Sequence, residues 1–202
     1  MKINKIIKNY GCALLLLQTC SLMANESIRV ATFNVSMDAT NYIKNGEVGT
    51  GNELAKALTS NHPQIKNIAE IIQRVSPDIL LLNEFDHDPD NADHLVKSFI
   101  TNYLNQSQQG QLAQDYPYFY TAPVNTGIST RFDLDNDGKY QGNFGDAQGF
   151  GHFPGHYGMV LLSKYPIDVK NIRTFQYFKW KDMPGALLPM DPTTKTPWYT
   201  KE

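Results

Sequence analysis

"HPQIKNIAEIIQRVSPDILLLNE", residues 62–84, decides the fold. In its first part Ile65, Ile68, Ala69, Ile72 and Val75 recur at helical spacing. Pro63 suits a helix start, and Pro77 forbids continuation. "ILLL" at 79–82 then follows as a near-continuous apolar strand, the pattern of a sheet covered on both faces. Upstream, "SIRVATFNVS" (27–36) reads as a first strand. Val30, Phe33 and Val35 are strand formers, and both faces are largely apolar, which predicts burial on both sides. The polar stretch between the two holds Gly46, Gly49 and Gly51 and a short helix around Glu53 to Thr59. Strand, loop, helix, strand implies a crossover between parallel neighbours, with both carboxyl ends on one edge. Asn34 and Glu84 would meet there, at the kind of edge where open α/β sheets bind ligands.

Further on, "NADHLVKSFITNYLNQ" (91–106) predicts a helix, with Leu95, Phe99 and Tyr103 on one face and Asn91 as its cap. "YPYFYTAPVNTG" (116–127) reads as an aromatic strand entering a turn, its aromatic run serving the core. Residues 125–156 form a long Asp-, Asn- and Gly-rich insertion. "YGMVLLSKYPI" (157–167) predicts a strand ending at Ser163, and "VKNIRTFQYF" (169–178) another. Asp86, Asp88 and Asp90 read as a solvated acidic turn rather than as further metal ligands, with Asp86 the first exception to consider.

The first 24 residues, "MKINKIIKNYGCALLLLQTCSLMA", stand apart from the fold. Lys2, Lys5 and Lys8 precede an apolar run from Gly11 to Met23, the pattern of a signal peptide cleaved after Ala24. Residues 25–202 would then be the exported chain, periplasmic or extracellular. The run is too short, and too polar at its end, for stable membrane insertion; an uncleaved anchor is the alternative. Both cysteines, Cys12 and Cys20, fall inside it, so no disulfide is expected in the mature chain. Removing the three lysines takes the 18 Lys and Arg to 15, against 20 Asp and Glu, a net charge of −5. Such a chain has little general attraction for phosphates, and a bound cation would offset the repulsion.

On pattern alone Glu84 is a soluble strand end. Taken together and in order, "TFNV", "PDILLLNEFD" and "HYGMVLLSKYPI" resemble the endonuclease/exonuclease/phosphatase superfamily, over residues 28 to 175. The resemblance is to exported bacterial members that carry an Asp- and Gly-rich insertion. It implies an α/β fold: a deoxyribonuclease I-like sandwich of two packed mixed sheets flanked by helices. It implies a metal-dependent phosphoesterase acting on nucleic acid or a small phosphorylated molecule. Glu84 matches the family's ligand for Mg2+ (or Mn2+), and Asn34 the first-strand asparagine beside metal and phosphate. The alternative for Asn34 is a strand-end side chain bonding its own turn. His156 and Tyr157 stand where relatives place polar residues near substrate; a histidine satisfied by its neighbours at a strand mouth is the equal alternative. The family's later Gly-Asp-x-Asn and Asp-His segments are not matched here, since "FGDAQGF" carries Gln148 in place of Asn. The chain thus reads as the N-terminal part of such a domain, incomplete at the C-terminus and inactive alone.

"DLDNDG" (133–138) is a separate signal. Asp133, Asp135, Asp137 and Gly138 match the opening of a calcium-binding loop, but the twelfth position is Phe144 rather than Glu. Asp146 could close the site from another direction. A structural Ca2+ site and a metal-free Asp/Gly loop both remain open. If calcium alone mattered, the chain would be a non-catalytic calcium-binding surface module.

Overall fold

The computed structural model of the chain describes residues 27–44 and 46–199. The signal-peptide reading and both cysteines lie outside them. The strands are β1 (Val30–Met37), β2 (Ile79–Phe85), β3 (Tyr118–Thr121) and β4 (Met159–Ser163). The helices are α1 (Glu53–Thr59), α2 (Pro63–Val75) and α3 (Ala92–Phe99). The strands form one mixed sheet in the order β1-β2-β4-β3. As the crossover pattern requires, β1 and β2 run parallel; β4 is antiparallel to both β2 and β3.

Pro63 opens α2 at a position where its missing N–H costs no helical bond. Ser76 closes it in the left-handed conformation, and its N–H bonds to Ile72 O. Ile65, Ile68, Ala69 and Ile72 are buried on one stripe. They join Leu54 and Leu58 of α1, Leu95 and Phe99 of α3, and the sheet residues Leu80, Leu82, Val160 and Leu162 in a single apolar cluster. All three helices therefore serve one face of the sheet.

The other face departs from the sequence expectation. Thr32 and Asn34 of β1 and Met159 of β4 are exposed, and Leu81 and Leu161 are half-buried. Among the described residues no second sheet covers this face; the chain presents an α/β layer with one open side. The run Ile79–Leu82 is apolar on both sides because Leu81 floors a cavity. Residues 169–178 form no strand: a 3₁₀ turn spans Val169–Asn171, and irregular chain follows. Asn171 Nδ2 donates to Asp168 Oδ2 at 2.6 Å, a local bond that favours the turn over a ladder. Phe175 leans over the cavity instead.

Asn91 makes no side-chain cap on α3. Asp88 Oδ1 accepts the N–H groups of Asp90 (2.9 Å) and Asn91 (3.1 Å) and holds the approach to the helix from outside. Beyond Phe99 the helix widens into a π-turn over Ile100–Leu104. The cause is polar anchoring. Tyr103 hydroxyl donates to Ala57 O at 3.0 Å and accepts the His62 N–H at 2.9 Å. Buried Gln73 of α2 donates to Leu104 O (3.0 Å) and Gln106 O (2.7 Å) and accepts from Gln108 N–H (2.9 Å).

Candidate active site

The site starts from an irregularity in the β1–β2 ladder. Asn34 pairs with Asn83 and Met37 with Phe85, so Val35 and Ser36 together stand opposite Glu84. Two residues against one make a β-bulge, which re-aims side chains at a strand end. Both sides of the bulge are left-handed: Ser36 has φ 46° and Glu84 φ 56°. For non-glycine residues this conformation is uncommon and persists where the surroundings over-determine it. In a regular strand Asn83 and Glu84 would point to opposite faces. Here both line one cavity of about 680 Å³, on the open face of the sheet at the carboxyl edge of β1 and β2. Asn34 and Tyr157 line it too, while Tyr120 and Phe175 form apolar wall.

The sequence-derived pair thus meets as expected. Asn34 Oδ1 accepts the Ser36 N–H at 3.1 Å, so its side chain bonds its own turn and faces the cavity as well. That leaves its NH2 as the donor end. Ser36 hydroxyl donates to Glu84 Oε2 at 3.4 Å. Asn83 Nδ2 donates to Thr32 Oγ1 at 2.9 Å, continuing the polar strip.

Behind Glu84 lies a buried polar group. Asp86 is 2% exposed, not part of a solvated turn. Its Oδ2 accepts the Ala39 N–H (2.7 Å) and its Oδ1 the Tyr157 N–H (3.0 Å). Burial pushes its carboxyl up to about 7, against the pull of His156 and those two N–H bonds. Asp38, equally buried, accepts from Thr40 N–H (3.0 Å), from the Thr40 hydroxyl, and from Asn41 Nδ2 (2.7 Å). Burial raises its carboxyl, but His156 and the Thr40 groups outweigh that and hold it below the usual carboxylate range. The sequence set Asp86 apart from Asp88 and Asp90 only as a candidate metal ligand; its place one residue past a strand-end Phe was the cue to its burial.

"GHYG" at 155–158 fits against the end of β2 because both glycines lack a Cβ. A Cβ on Gly155 would come within 2.1 Å of His87 O, and one on Gly158 within 2.7 Å of Phe85 O. The close approach is sealed by His87 N–H to Gly155 O (2.8 Å) and Phe85 N–H to Gly158 O (3.1 Å). Between the glycines the two side chains diverge. His156 turns inward and is fully buried. Its ring stacks on Tyr157 (centroids 3.6 Å) and Phe153 (4.6 Å), and its Nδ1 accepts the His152 N–H at 3.2 Å. Its Nε2 lies 3.5 Å from Asp38 Oδ1 without a formed hydrogen bond. His156 therefore sits beneath the cavity, among neighbours. Tyr157, left-handed at φ 56°, turns outward into it. Burial and then the charges of Asp38, Glu84 and Asp86 raise its phenol, which stays a protonated donor.

The acidic insertion forms a second group. Asp133, Asp135 and Asp137 each bring a carboxylate oxygen within 4.8 Å of the others. The loop is also closed by its own backbone: Asp133 accepts from Asp137 N–H (3.2 Å) and Gly138 N–H (2.9 Å). Asp146 does not join the three. It is buried and accepts from Leu134 N–H (2.9 Å) and Gln141 N–H (2.7 Å), bracing the loop from below.

Compared with known protein families, residues 31–200 match the model described as Endonuclease/Exonuclease/phosphatase family. The chain belongs to this family. Its mixed sheet, with helices on one face, accords with the family fold. Neither the curated proteins nor the solved structures contain a match. Membership supports hydrolase activity in general; the family acts on phosphate-ester substrates and generally depends on divalent metal. No helix among the described residues is long and apolar enough to cross a membrane.

Proposed function

We propose that this chain is a divalent-metal-dependent phosphoric-ester hydrolase with Glu84 as its metal ligand. The observation that carries the reading is the left-handed Glu84, turned out of the strand into one cavity with Asn34 and Tyr157. The residues suit Mg2+ (or Mn2+): one carboxylate, one nearby hydroxyl and an open volume leave room for water and phosphate oxygens. Bound there, the ion would polarise the phosphorus centre and stabilise the leaving oxygen.

The chain's own groups do the rest. Asn34 presents its NH2 and Tyr157 its protonated phenol, two neutral donors that hold phosphate oxygens without adding negative charge. Glu84 takes its orientation from the bulge and from the Ser36 hydroxyl. Asp38 and Asp86 are turned onto backbone N–H groups, so neither is assigned as the base that activates water. The apolar walls at Tyr120 and Phe175 leave space for the ester's organic part. Export is part of the proposal and rests on residues 1–24. A structural Ca2+ at Asp133, Asp135 and Asp137 is a second element of it, favoured by the convergence of their oxygens.

Magnesium calorimetry on the purified chain and on Glu84→Gln tests the reading. Saturable binding by the wild type, lost in the variant, is the expected result. Binding that survives the substitution, or no binding at all, removes Glu84 as the metal ligand.

A further inference from the structure

The unused chemistry of the site lies in Asp86. A buried carboxylate is costly unless it is well bonded, and Asp86 spends both oxygens on backbone N–H groups from two distant segments. One is Ala39, just beyond the β1 bulge; the other is Tyr157, at the entry to β4. Asp86 is anchored in turn, its own N–H bonding Met37 O at 3.1 Å. The two held segments carry the side chains that flank Glu84: Ser36 hydroxyl on one side and Tyr157 on the other.

We propose that Asp86 is a positioning residue of this site, holding the Ala39 and Tyr157 backbones so that Ser36 and Tyr157 are fixed on either side of Glu84. The proposal rests on the reading of Glu84 as metal ligand. The local geometry needs such a clamp. Three residues around it, Ser36, Glu84 and Tyr157, sit in the left-handed region that side chains disfavour, and each must be held there. Gly155 and Gly158 let the Tyr157 segment approach; they contribute no side chain to keep it. His156 packs behind Tyr157 and fills the space, and its Nδ1 is taken by His152 N–H. Asp86 is the group that reaches both segments at once. An amide of the same shape could not replace it. Asn offers one acceptor oxygen, and its NH2 would face either the Ala39 or the Tyr157 N–H. Groups that orient a metal ligand from behind are worth about 10- to 100-fold in metal affinity.

The test is magnesium calorimetry on the purified chain, comparing wild type, Glu84→Gln, Asp86→Asn and the core control Ile72→Val at a temperature where circular dichroism shows each folded. Asp86→Asn should weaken magnesium by about 10-fold or more, while Ile72→Val, a loss of packing alone, leaves affinity unchanged. Wild-type affinity in folded Asp86→Asn overturns the proposal and leaves Glu84 intact as ligand. Failure of the wild type to bind, or persistence of binding in Glu84→Gln, overturns the underlying reading first. A measurement on the wild type alone covers the case in which Asp86→Asn does not fold. By linkage, if the two Asp86 bonds favour the metal, the metal must favour the bonds to the same degree. Amide exchange at Ala39 and Tyr157 should then slow several-fold at saturating magnesium, and unchanged exchange there sinks the proposal.

Discussion

His87 lies next to the clamp residue and shows what burial does to a single titratable group. It is 6% exposed, and its Nδ1 lies 3.1 Å from Thr121 Oγ1, linking the end of β2 to β3. Burial lowers its pKa from the ordinary 6.5, against a smaller pull from Asp88. Between that lowered value and 6.5 the unfolded chain holds more protons at this position than the folded one, so stability rises with pH across the window. The contribution is complete above 6.5 and is lost as pH falls through the folded value. His87→Gln should therefore cost most stability above pH 6.5, and its deficit against the wild type should shrink on acidification. Urea melts at a series of pH values read this directly; a deficit that stays constant with pH would show that His87 does not titrate in this way. Sequence could not announce this histidine. "NEFDHDPD" looks polar and solvated, and only the approach of Gly155 and Gly158 encloses its middle. Glu84 and Asn34 were legible because a strand–helix–strand order places strand ends together. Their left-handed neighbours were not, because a bulge is a property of two strands in register, which neither strand shows alone.

At the scale of elements, α1, α2 and β4 follow their sequence patterns because apolar spacing and proline placement agree with the packing that results. The segment 91–106 agrees only in part. Leu95, Phe99 and Tyr103 are buried as their spacing predicts, but the last turn opens into a π-turn to serve Tyr103 and Gln73. Periodicity carries no information about a hydroxyl that must reach Ala57 O and the His62 N–H, 40 or more residues away. Tyr103 is 1% exposed, so Phe at this position leaves the His62 N–H without its acceptor, while Ala57 O keeps its bonds from the Ser60 N–H and hydroxyl. Tyr103→Phe should cost about 1–3 kcal/mol in denaturant unfolding, and the magnesium binding proposed at Glu84 should be unaffected, since α1 and α2 lie on the far side of the sheet. A loss below 0.5 kcal/mol, on the scale of an exposed substitution, would mean that water takes over the His62 N–H. The failure of 169–178 as a strand belongs to the same scale. β-forming residues make a strand only where a ladder partner is offered, and here the Asp168–Asn171 bond holds a turn in place of one.

Across the whole molecule, the insertion 125–156 is the long irregular segment whose order the helices do not provide. It is laced to the rest at a few points. Asn125 Nδ2 donates to Gln176 O at 2.9 Å and Trp198 Nε1 to Leu134 O at 3.3 Å, while Asp146 braces Leu134 and Gln141 within the insertion itself. Asp135 shows the strain of the arrangement: partial desolvation, then the neighbouring charges of Asp137, Asp146 and Asp133, raise its pKa despite a bond from the Asp137 N–H. A cation at the centre of the three carboxylates would relieve that repulsion and bind the folded loop in preference to the unfolded chain. At a calcium concentration about 100 times the dissociation constant, such binding adds about 2.7 kcal/mol. In a domain of this size each kcal/mol raises Tm by about 2–4 °C. Calcium should therefore raise Tm by several degrees, with Asp135→Asn insensitive to it and chelator reversing the shift. Glu84→Gln should respond to calcium like the wild type, because the loop carboxylates are not among the groups that line the Glu84 cavity. A Tm unmoved by calcium would instead leave the loop held by its own N–H bonds to Asp133, Asp135 and Asp146 and by the Asn125 and Trp198 ties, with no ion needed at the three carboxylates.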